Sequence, residues 1–264
     1  MIVNFYKYQG TGNDFIIIDS RNVNLDLSEI NIKNLTNRKF GIGSDGVMVI
    51  SNHADHHFEM QFYNPDGSQS FCGNGSRCAV LFCFHMGICP RECTFLSNDG
   101  AHSAEVIDDL NIKINIVGPV KLNKLDSGDF ELNTGSPHYI KFVDQLKIDD
   151  FTTKSRLIRN SVDYIESGIN VNFVLPKENG ISMRTYERGV EDETLSCGSG
   201  VTAAAMAYGF KSNMDSGKLS VSTKGGDLFV EFERLNDEFQ NIFLTGAAKF
   251  VYKGEIELWC QKLD

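Results

Sequence analysis

The sequence has no concentration of basic residues. Its 25 lysines and arginines are scattered among 35 aspartates and glutamates, giving a formal net charge of −10. An acidic chain without a basic patch attracts neither nucleic acid nor an anionic membrane surface, so neither partner is expected. Long apolar runs are missing too; none approaches the roughly 20 residues that a membrane-spanning helix needs. The opening "MIVNFYKYQGTGNDF" lacks the charged and apolar regions of a secretory signal. A cytoplasmic location is the expectation. A disulfide framework is equally unsupported, because the seven cysteines (72, 78, 83, 89, 93, 197 and 260) are odd in number in a chain of intracellular character. Cys78 and Cys83 lie within apolar sequence and read as small buried hydrophobes. Cys89 and Cys93 flank Pro90 with no second pair downstream, and "HADHH" (His53, His56, His57) sits in a turn between strand-like runs. The cysteine pair lacks the partner pair that a zinc site needs and the histidines fit a solvated turn, so no metal is expected.

What is present is a strand-rich pattern. Short alternating or β-branched runs recur between Gly, Asn and Asp, among them "NFYKYQ", "DFIIIDS", "GVMVI", "FEMQFYN", "LNIKINIVG", "FELNTG", "INVNFVLP", "ISMRTYE", "DLFVEFE" and "NIFLTGAAKFVYKG". With 264 residues and 41% hydrophobic content, the chain can bury one large core or two moderate ones. Helical spacing is convincing in few places. "LSEINIKNLTNRKFGIG" has Ser28 as a candidate N-cap and glycines at its end. The "GIGSDG" that closes it, Gly41 to Gly46, matches a dinucleotide fingerprint only literally. The helix precedes the glycines and the strand follows, the reverse of the order a pyrophosphate site requires, so they predict helix termination and a turn.

Two segments stand apart. "CGNGSRCA" at 72–79 aligns without gaps on "CGSGVTAA" at 197–204, a separation of 125 residues, and "MQFYN" at 60–64 aligns on "MRTYE" at 183–187. Such internal similarity predicts two related halves. Each C-G-x-G opens a stretch that is apolar or small nearly all round, as expected of a helix enclosed by other structure. The predicted fold class is therefore α+β: two pseudo-symmetric halves, 1–118 carrying Cys72 and 119–264 carrying Cys197, each a curved, mostly antiparallel, barrel-like sheet around a central helix. The C-terminal tail packing back on the first half is left open. The active site is expected in a cleft between the halves.

A thiol at a helix start has a chemical consequence. The helix N-terminus offers unpaired N–H groups and partial positive charge, which lower a thiol's pKa and bind carboxylates. Two such thiols flanking one carboxylate-bearing carbon can remove a proton from one face and deliver one to the other, inverting the centre. No metal or organic cofactor enters this scheme.

The set "GTGNDF", "NPDGS", "CGNGSRC", "SPH", "INVNF" and "YERGVEDETLSCGSG" is similar to the diaminopimelate epimerase family. The resemblance runs in the family's order through essentially the whole chain. It implies epimerisation of LL-2,6-diaminopimelate to the meso isomer, in lysine and peptidoglycan precursor biosynthesis. Catalytic roles follow for Cys72 (donor) and Cys197 (acceptor), with Glu187 and His138 as auxiliary polar groups. Substrate binding follows for Asn13, Asn64, Gly73, Asn74, Asn170, Glu187, Arg188, Gly198 and Ser199, with Arg188 gripping the distant carboxylate through its planar fork. The resemblance also implies a small-molecule substrate and no cofactor, and is compatible with a homodimer. Taken singly, Asn13 and Asn64 would suit turns, Asn170 a neighbouring backbone group, and Glu187-Arg188 an ordinary surface pair. Three departures bear on specificity: Ser136 stands where the family commonly has Asn, "ERGVEDETL" is one residue longer than "ERGVGETL", and Gly46 replaces a polar residue. The competing readings are a cofactor-free racemase of another amino acid and a non-catalytic ligand-binding protein.

Overall fold

The structure is a computed structural model and describes residues 2–23, 25 and 27–258. Cys260 lies outside them. The chain divides into two compact units, one made of residues up to Lys113 together with the chain from Ala248 on, the other Ile114–Ala247. The expected division at 118/119 is thus corrected: the boundary falls at 113/114, and the second half does not run to the end of the chain.

In the first unit the elements run β1 (Ile2–Gly10), β2 (Asn13–Asp19), α1 (Glu29–Thr36), β3 (Gly46–Ser51), β4 (Phe58–Tyr63), α2 (Gly73–His85), β5 (Glu92–Ser97) and β6 (Gly100–Val106). β7 (Asn111–Ile116) spans the boundary. The second unit continues with β8 (Val120–Lys124), β9 (Phe130–Asn133), β10 (Pro137–Phe142), α3 (Phe151–Arg159), β11 (Asn170–Lys177), β12 (Gly180–Glu187), β13 (Asp192–Thr194), α4 (Gly198–Lys211), β14 (Ser216–Thr223), β15 (Gly226–Leu235) and β16 (Glu238–Ala247). The last strand, β17 (Lys249–Glu257), belongs to the first unit.

The repeat is visible in the pairing. β1–β2 is antiparallel, β2–β3 parallel, β3–β4 antiparallel, β4–β5 parallel and β5–β6 antiparallel. The series β9, β10, β11, β12, β14, β15 has the same alternation. Parallel neighbours need a long crossover, and every one here is made through a helix: α1 and α2 in the first unit, α3 and α4 in the second. In the second unit β15 pairs with β16, β16 with β8 and β8 with β9, closing an eight-stranded ring. Closure removes the sheet edges. In the first unit β17 adds to β1 over Ile2↔Glu257 to Gln9↔Lys249, with a register shift after Lys7. The tail therefore does pack back on the first half.

Each repeat encloses one helix. α2 packs against β1, β2, β3, β4, β6 and β17, and α4 against β9, β10, β11, β12, β14, β15 and β16. Residues Gly73 to Cys83 are all buried in α2, and ten of the residues from Gly198 to Gly209 in α4. This all-round apolar character is why neither helix shows an exposed polar stripe in the sequence. α1 is the opposite kind, capped by Ser28 whose side chain accepts from the Asn31 amide at 3.4 Å. After it, the Gly43 and Ser44 amides return to the Leu35 and Thr36 carbonyls at 2.9 and 3.1 Å, so "GIGSDG" does end a helix and turn into β3. Sequence reading missed α3, a nine-residue helix rich in polar and charged residues whose N-cap, Asp150, makes no side-chain cap bond. It also missed β5, β6, β8, β10, β13 and β14. β6 and β8, for example, alternate buried with exposed positions but fill them with small or charged residues ("GAHSAEV", "VKLNK") that sequence propensity reads as loop.

Candidate active site

In the first unit, Cys72 is the N-cap of α2, with extended backbone angles of −133° and 105°, and its sulfur accepts from the Gly75 amide at 3.4 Å. The thiol thus takes the place of the usual capping oxygen. It is half-buried, whereas Cys78 and Cys83 behind it are sealed and burial pushes both thiols far up. Two of the expected binding residues meet beside this helix start: Asn74 donates to Asn13 Oδ1 at 2.6 Å. Asn13 in turn donates to Asp45 at 2.9 Å, and Asp45 is tied to Arg38 at 2.7 Å. Asp14, next to Asn13, is held by Lys7 and Arg38 at 2.7 and 2.5 Å; those two cations outweigh its burial and keep its carboxyl low, at about 2. Asn13 therefore sits on a fixed ionic platform and not in a free turn. Asn64 is placed differently. Its amide nitrogen bonds the Ser68 carbonyl and the Ser68 and Ser70 hydroxyls at 3.1–3.2 Å, so it organises the "NPDGS" loop leading to Cys72.

In the second unit, Cys197 caps α4 with nearly the same angles, −120° and 109°, but without a side-chain cap bond. Its sulfur instead lies 3.5 Å from Ser199 Oγ, which is 2.9 Å from His138 Nε2. The direction of this chain can be deduced. Asn172 Nδ2 is 3.0 Å from the Tyr139 carbonyl, which only accepts, so this amide nitrogen is a donor; it is also 3.2 Å from His138 Nδ1, which must accept. The imidazole proton is then on Nε2 and is given to Ser199, whose own hydroxyl proton is left for the Cys197 sulfur. Thr185 completes the set by donating to Asn172 Oδ1 at 2.9 Å. Gly200 is needed for this packing: a Cβ there would stand 2.7 Å from Asn172 Oδ1 and 3.2 Å from His138 Cε1.

Burial, and secondarily the charge of Arg188, bring His138 down to about 3. The imidazole is neutral at any working pH, so it acts as a hydrogen-bond relay. The same shift has a stability consequence. Between about 6.5, the ordinary value, and about 3 the unfolded chain binds a proton that the folded chain refuses, so this contribution is complete above 6.5 and is lost as pH falls through that window. His138→Gln should therefore narrow the difference in unfolding free energy between pH 7.5 and pH 4.5, on the order of 2–3 kcal/mol at most. Urea unfolding of both proteins at the two pH values measures it; an unchanged difference refutes the buried neutral assignment.

Asn170 opens β11 and is bonded at both ends of its amide: Nδ2 donates to Ser136 Oγ at 2.8 Å and to the Pro137 carbonyl at 3.1 Å, while Oδ1 accepts the Arg188 amide at 2.8 Å and keeps a second lone pair. Ser136 thus orients Asn170, a use for the hydroxyl noted above as a departure. Arg188 is exposed, with NH1 on the Ser167 carbonyl at 2.8 Å. Glu187, half-buried, ends β12, and its carbonyl accepts the Glu191 amide at 2.8 Å across the lengthened turn. Sequence reading missed Asp45, Arg77, Asn172 and Thr185. For Asn172 a signal existed, since two residues along a strand share a face with Asn170.

The family model described as diaminopimelate epimerase matches residues 5–122 and 130–251. The diaminopimelate epimerase of Flavobacterium psychrophilum is 43% identical over 254 residues, covering 95% of this chain and 99% of the relative. That of Chlorobaculum tepidum is 36% identical over 258 residues, covering 94% and 99%. Among solved structures, a hydroxyproline epimerase from Agrobacterium vitis superposes with a TM-score of 0.76 at 12% identity, covering 97% of this chain and 92% of that one. A Bacillus anthracis phenazine biosynthesis protein of the PhzF family superposes at 0.71 and 13% identity, covering 98% and 100%; both likenesses are of fold alone. With two half-chain matches that each contain one thiol-capped helix, and with relatives alike from end to end, this chain belongs to the diaminopimelate epimerase family.

Proposed function

We propose that this protein interconverts LL- and meso-2,6-diaminopimelate by moving one proton off, and another onto, the alpha carbon between two thiols. The observation that carries the reading is the duplication: each repeat ends a strand, turns through C-G-x-G and buries the helix that follows, leaving Cys72 and Cys197 as the N-caps. A single activated thiol would suit covalent chemistry, whereas two equivalent ones suit a two-sided transfer. One sulfur, as thiolate, takes the alpha proton; the other, as thiol, delivers its proton to the opposite face. The electron pair released by the first step rests on the carboxylate as an aci-carboxylate and then forms the new C–H bond. The enzyme ends with the two sulfurs in exchanged protonation states.

A carbon acid next to a carboxylate is very weak, so the developing charge needs donors already in place. The first-turn amides of a helix have no partner within it, and at Gly73-Asn74 and Gly198-Ser199 they are the groups assigned to that carboxylate. Asn13, Asn64 and Asn170 are assigned to the polar groups of the substrate, Arg188 to the distant carboxylate, and Glu187 and His138 to the surroundings of the thiols. The scheme uses no cofactor, and the reaction belongs to lysine and peptidoglycan precursor synthesis in the cytoplasm.

The test is incubation of pure protein in deuterated water with LL- and meso-diaminopimelate and with a panel of other amino acids, without pyridoxal phosphate or added metal. Deuterium should enter one alpha carbon of the product while recovered substrate stays protonated at early times, as two distinct bases require. Exchange with proline or another amino acid alone would transfer the reading to a different racemase. Binding without exchange would leave a ligand-binding protein.

A further inference from the structure

Asn172 lies within β11 with no solvent exposure, and the scheme above gives it no part. An amide sealed in a sheet is costly unless both its ends are bonded, and here both are. Oδ1 accepts from Thr185 Oγ1 at 2.9 Å, while Nδ2 donates to the Tyr139 carbonyl at 3.0 Å and to His138 Nδ1 at 3.2 Å. Turning the amide over would set its oxygen against the Tyr139 carbonyl, acceptor against acceptor, so its orientation is fixed.

The consequence runs along one line of side chains. An Nδ1 that accepts leaves the imidazole proton on Nε2, which stands 2.9 Å from Ser199 Oγ; that hydroxyl is 3.5 Å from the Cys197 sulfur. The Ser199 backbone is held as well, its carbonyl accepting from Thr134 Oγ1 at 2.8 Å. From Asn172 onward each donor points toward the sulfur. A sulfur that receives a hydrogen bond is favoured as the anion.

The charged groups on the strands around α4 are engaged elsewhere. Glu131 of β9 accepts from Tyr164, Lys141 of β10 pairs with Asp129, Arg184 of β12 with Glu193, Lys218 of β14 with Glu231 and Arg234 of β15 with Asp215. Lys177 of β11 and Glu238 of β16 are exposed. Glu187 and Arg188 at the end of β12 remain, Arg188 acting on His138, and the variants below leave both in place.

We propose that Asn172 is a positioning residue: it holds His138 with its proton on Nε2 and so turns the Ser199 hydroxyl proton toward the Cys197 sulfur, favouring that sulfur as the thiolate. The proposal rests on the reading of Cys197 as the proton acceptor and adds which buried side chain sets the polarity of its partners.

The first measurement is nitrogen NMR of the protein labelled with ¹⁵N in its histidine rings, the His138 signals being those that vanish in His138→Gln. The wild type should show a bare Nδ1 and a protonated Nε2 from pH 5 to 8. Asn172→Asp replaces the donating amide by a carboxylate, which only accepts, so the proton should move to Nδ1 and Ser199 should then donate to Nε2 instead of to the sulfur. The second measurement is iodoacetamide alkylation from pH 5 to 10, read at Cys197 by peptide mass spectrometry. Ser199→Ala should raise the Cys197 midpoint by about one unit, slowing alkylation at neutral pH about tenfold. Asn172→Asp should raise it by at least as much, but by less than half as much when made in Ser199→Ala, where only the added charge still acts. An equal effect with and without Ser199 overturns the proposal, and so does a wild-type spectrum with the proton on Nδ1. Should the Asp variant not fold, the wild-type spectrum and Ser199→Ala decide, and an unmoved Cys197 midpoint in Ser199→Ala overturns it as well. Because proton position and thiol ionisation are read directly, an enzyme inactive on diaminopimelate leaves this result standing, and a failed shift leaves the epimerase reading standing.

Discussion

Serine in place of either Cys72 or Cys197 is expected to lower epimerisation by about 10³-fold, within the roughly 10²–10⁴-fold that a positioned acid or base contributes. A serine hydroxyl is far too weak an acid to supply an alkoxide near neutral pH, so the variant loses one of the two bases. It should not lose its fold. Both positions are helix N-caps with extended backbone angles, and serine is among the preferred residues there. Calorimetric binding of diaminopimelate should therefore remain within a few-fold of wild type. The surviving thiol adds a finer expectation: from the isomer whose alpha proton faces it, solvent deuterium should enter without inversion. If either variant still inverts within tenfold of the wild-type rate, the two-thiol scheme is wrong.

Arg188→Met is expected to have the next largest effect, lowering kcat/KM for diaminopimelate by about 10²–10³-fold, mainly through KM. The estimate takes the roughly 2–5 kcal/mol lost when one partner of a hydrogen-bonded charge pair is removed. The structure prepares this side chain in advance. Its amide is fixed by Asn170 Oδ1 at 2.8 Å, its NH1 by the Ser167 carbonyl at 2.8 Å, and its stem lies on Gly168, where an added Cβ would be 2.5 Å from Arg188 Cδ. Gly168 also has a positive φ of 70°, so Gly168→Ala should reproduce part of the defect by displacing the stem. Arg188→Lys should recover little, because an ammonium cannot grip a carboxylate with two parallel bonds. Steady-state kinetics on all three variants check the order. A Met variant with unchanged kcat/KM would remove Arg188 from the substrate.

Much of this was legible in the residues. The gapless match of 72–79 on 197–204 became two repeats with the same alternation of parallel and antiparallel pairs. The order around Gly41 to Gly46, read as helix termination and a turn, became the return from α1 into β3. The boundary was not legible, since β17 returns to β1 through pairs as far apart as Ile2 and Glu257, and no local pattern encodes a partner that distant. α3 escaped because it is only nine residues long, mostly polar, and starts without a capping side-chain bond, so no start signal marks it in the sequence.

By itself the sequence determined the duplicated thiols, their place at the starts of two enclosed helices and the family. Those features are local, written within fifteen residues by glycine, small residues and unbroken apolar character. Only the tertiary structure decided what surrounds each helix start: Asn74 meets Asn13 across 61 positions and Asn172 meets His138 across 34, while Arg77, which in the sequence is one charge in an apolar run, emerges fully buried. Burial and the pairing of distant side chains set the local field, and neither exists until the strands have closed around the helix.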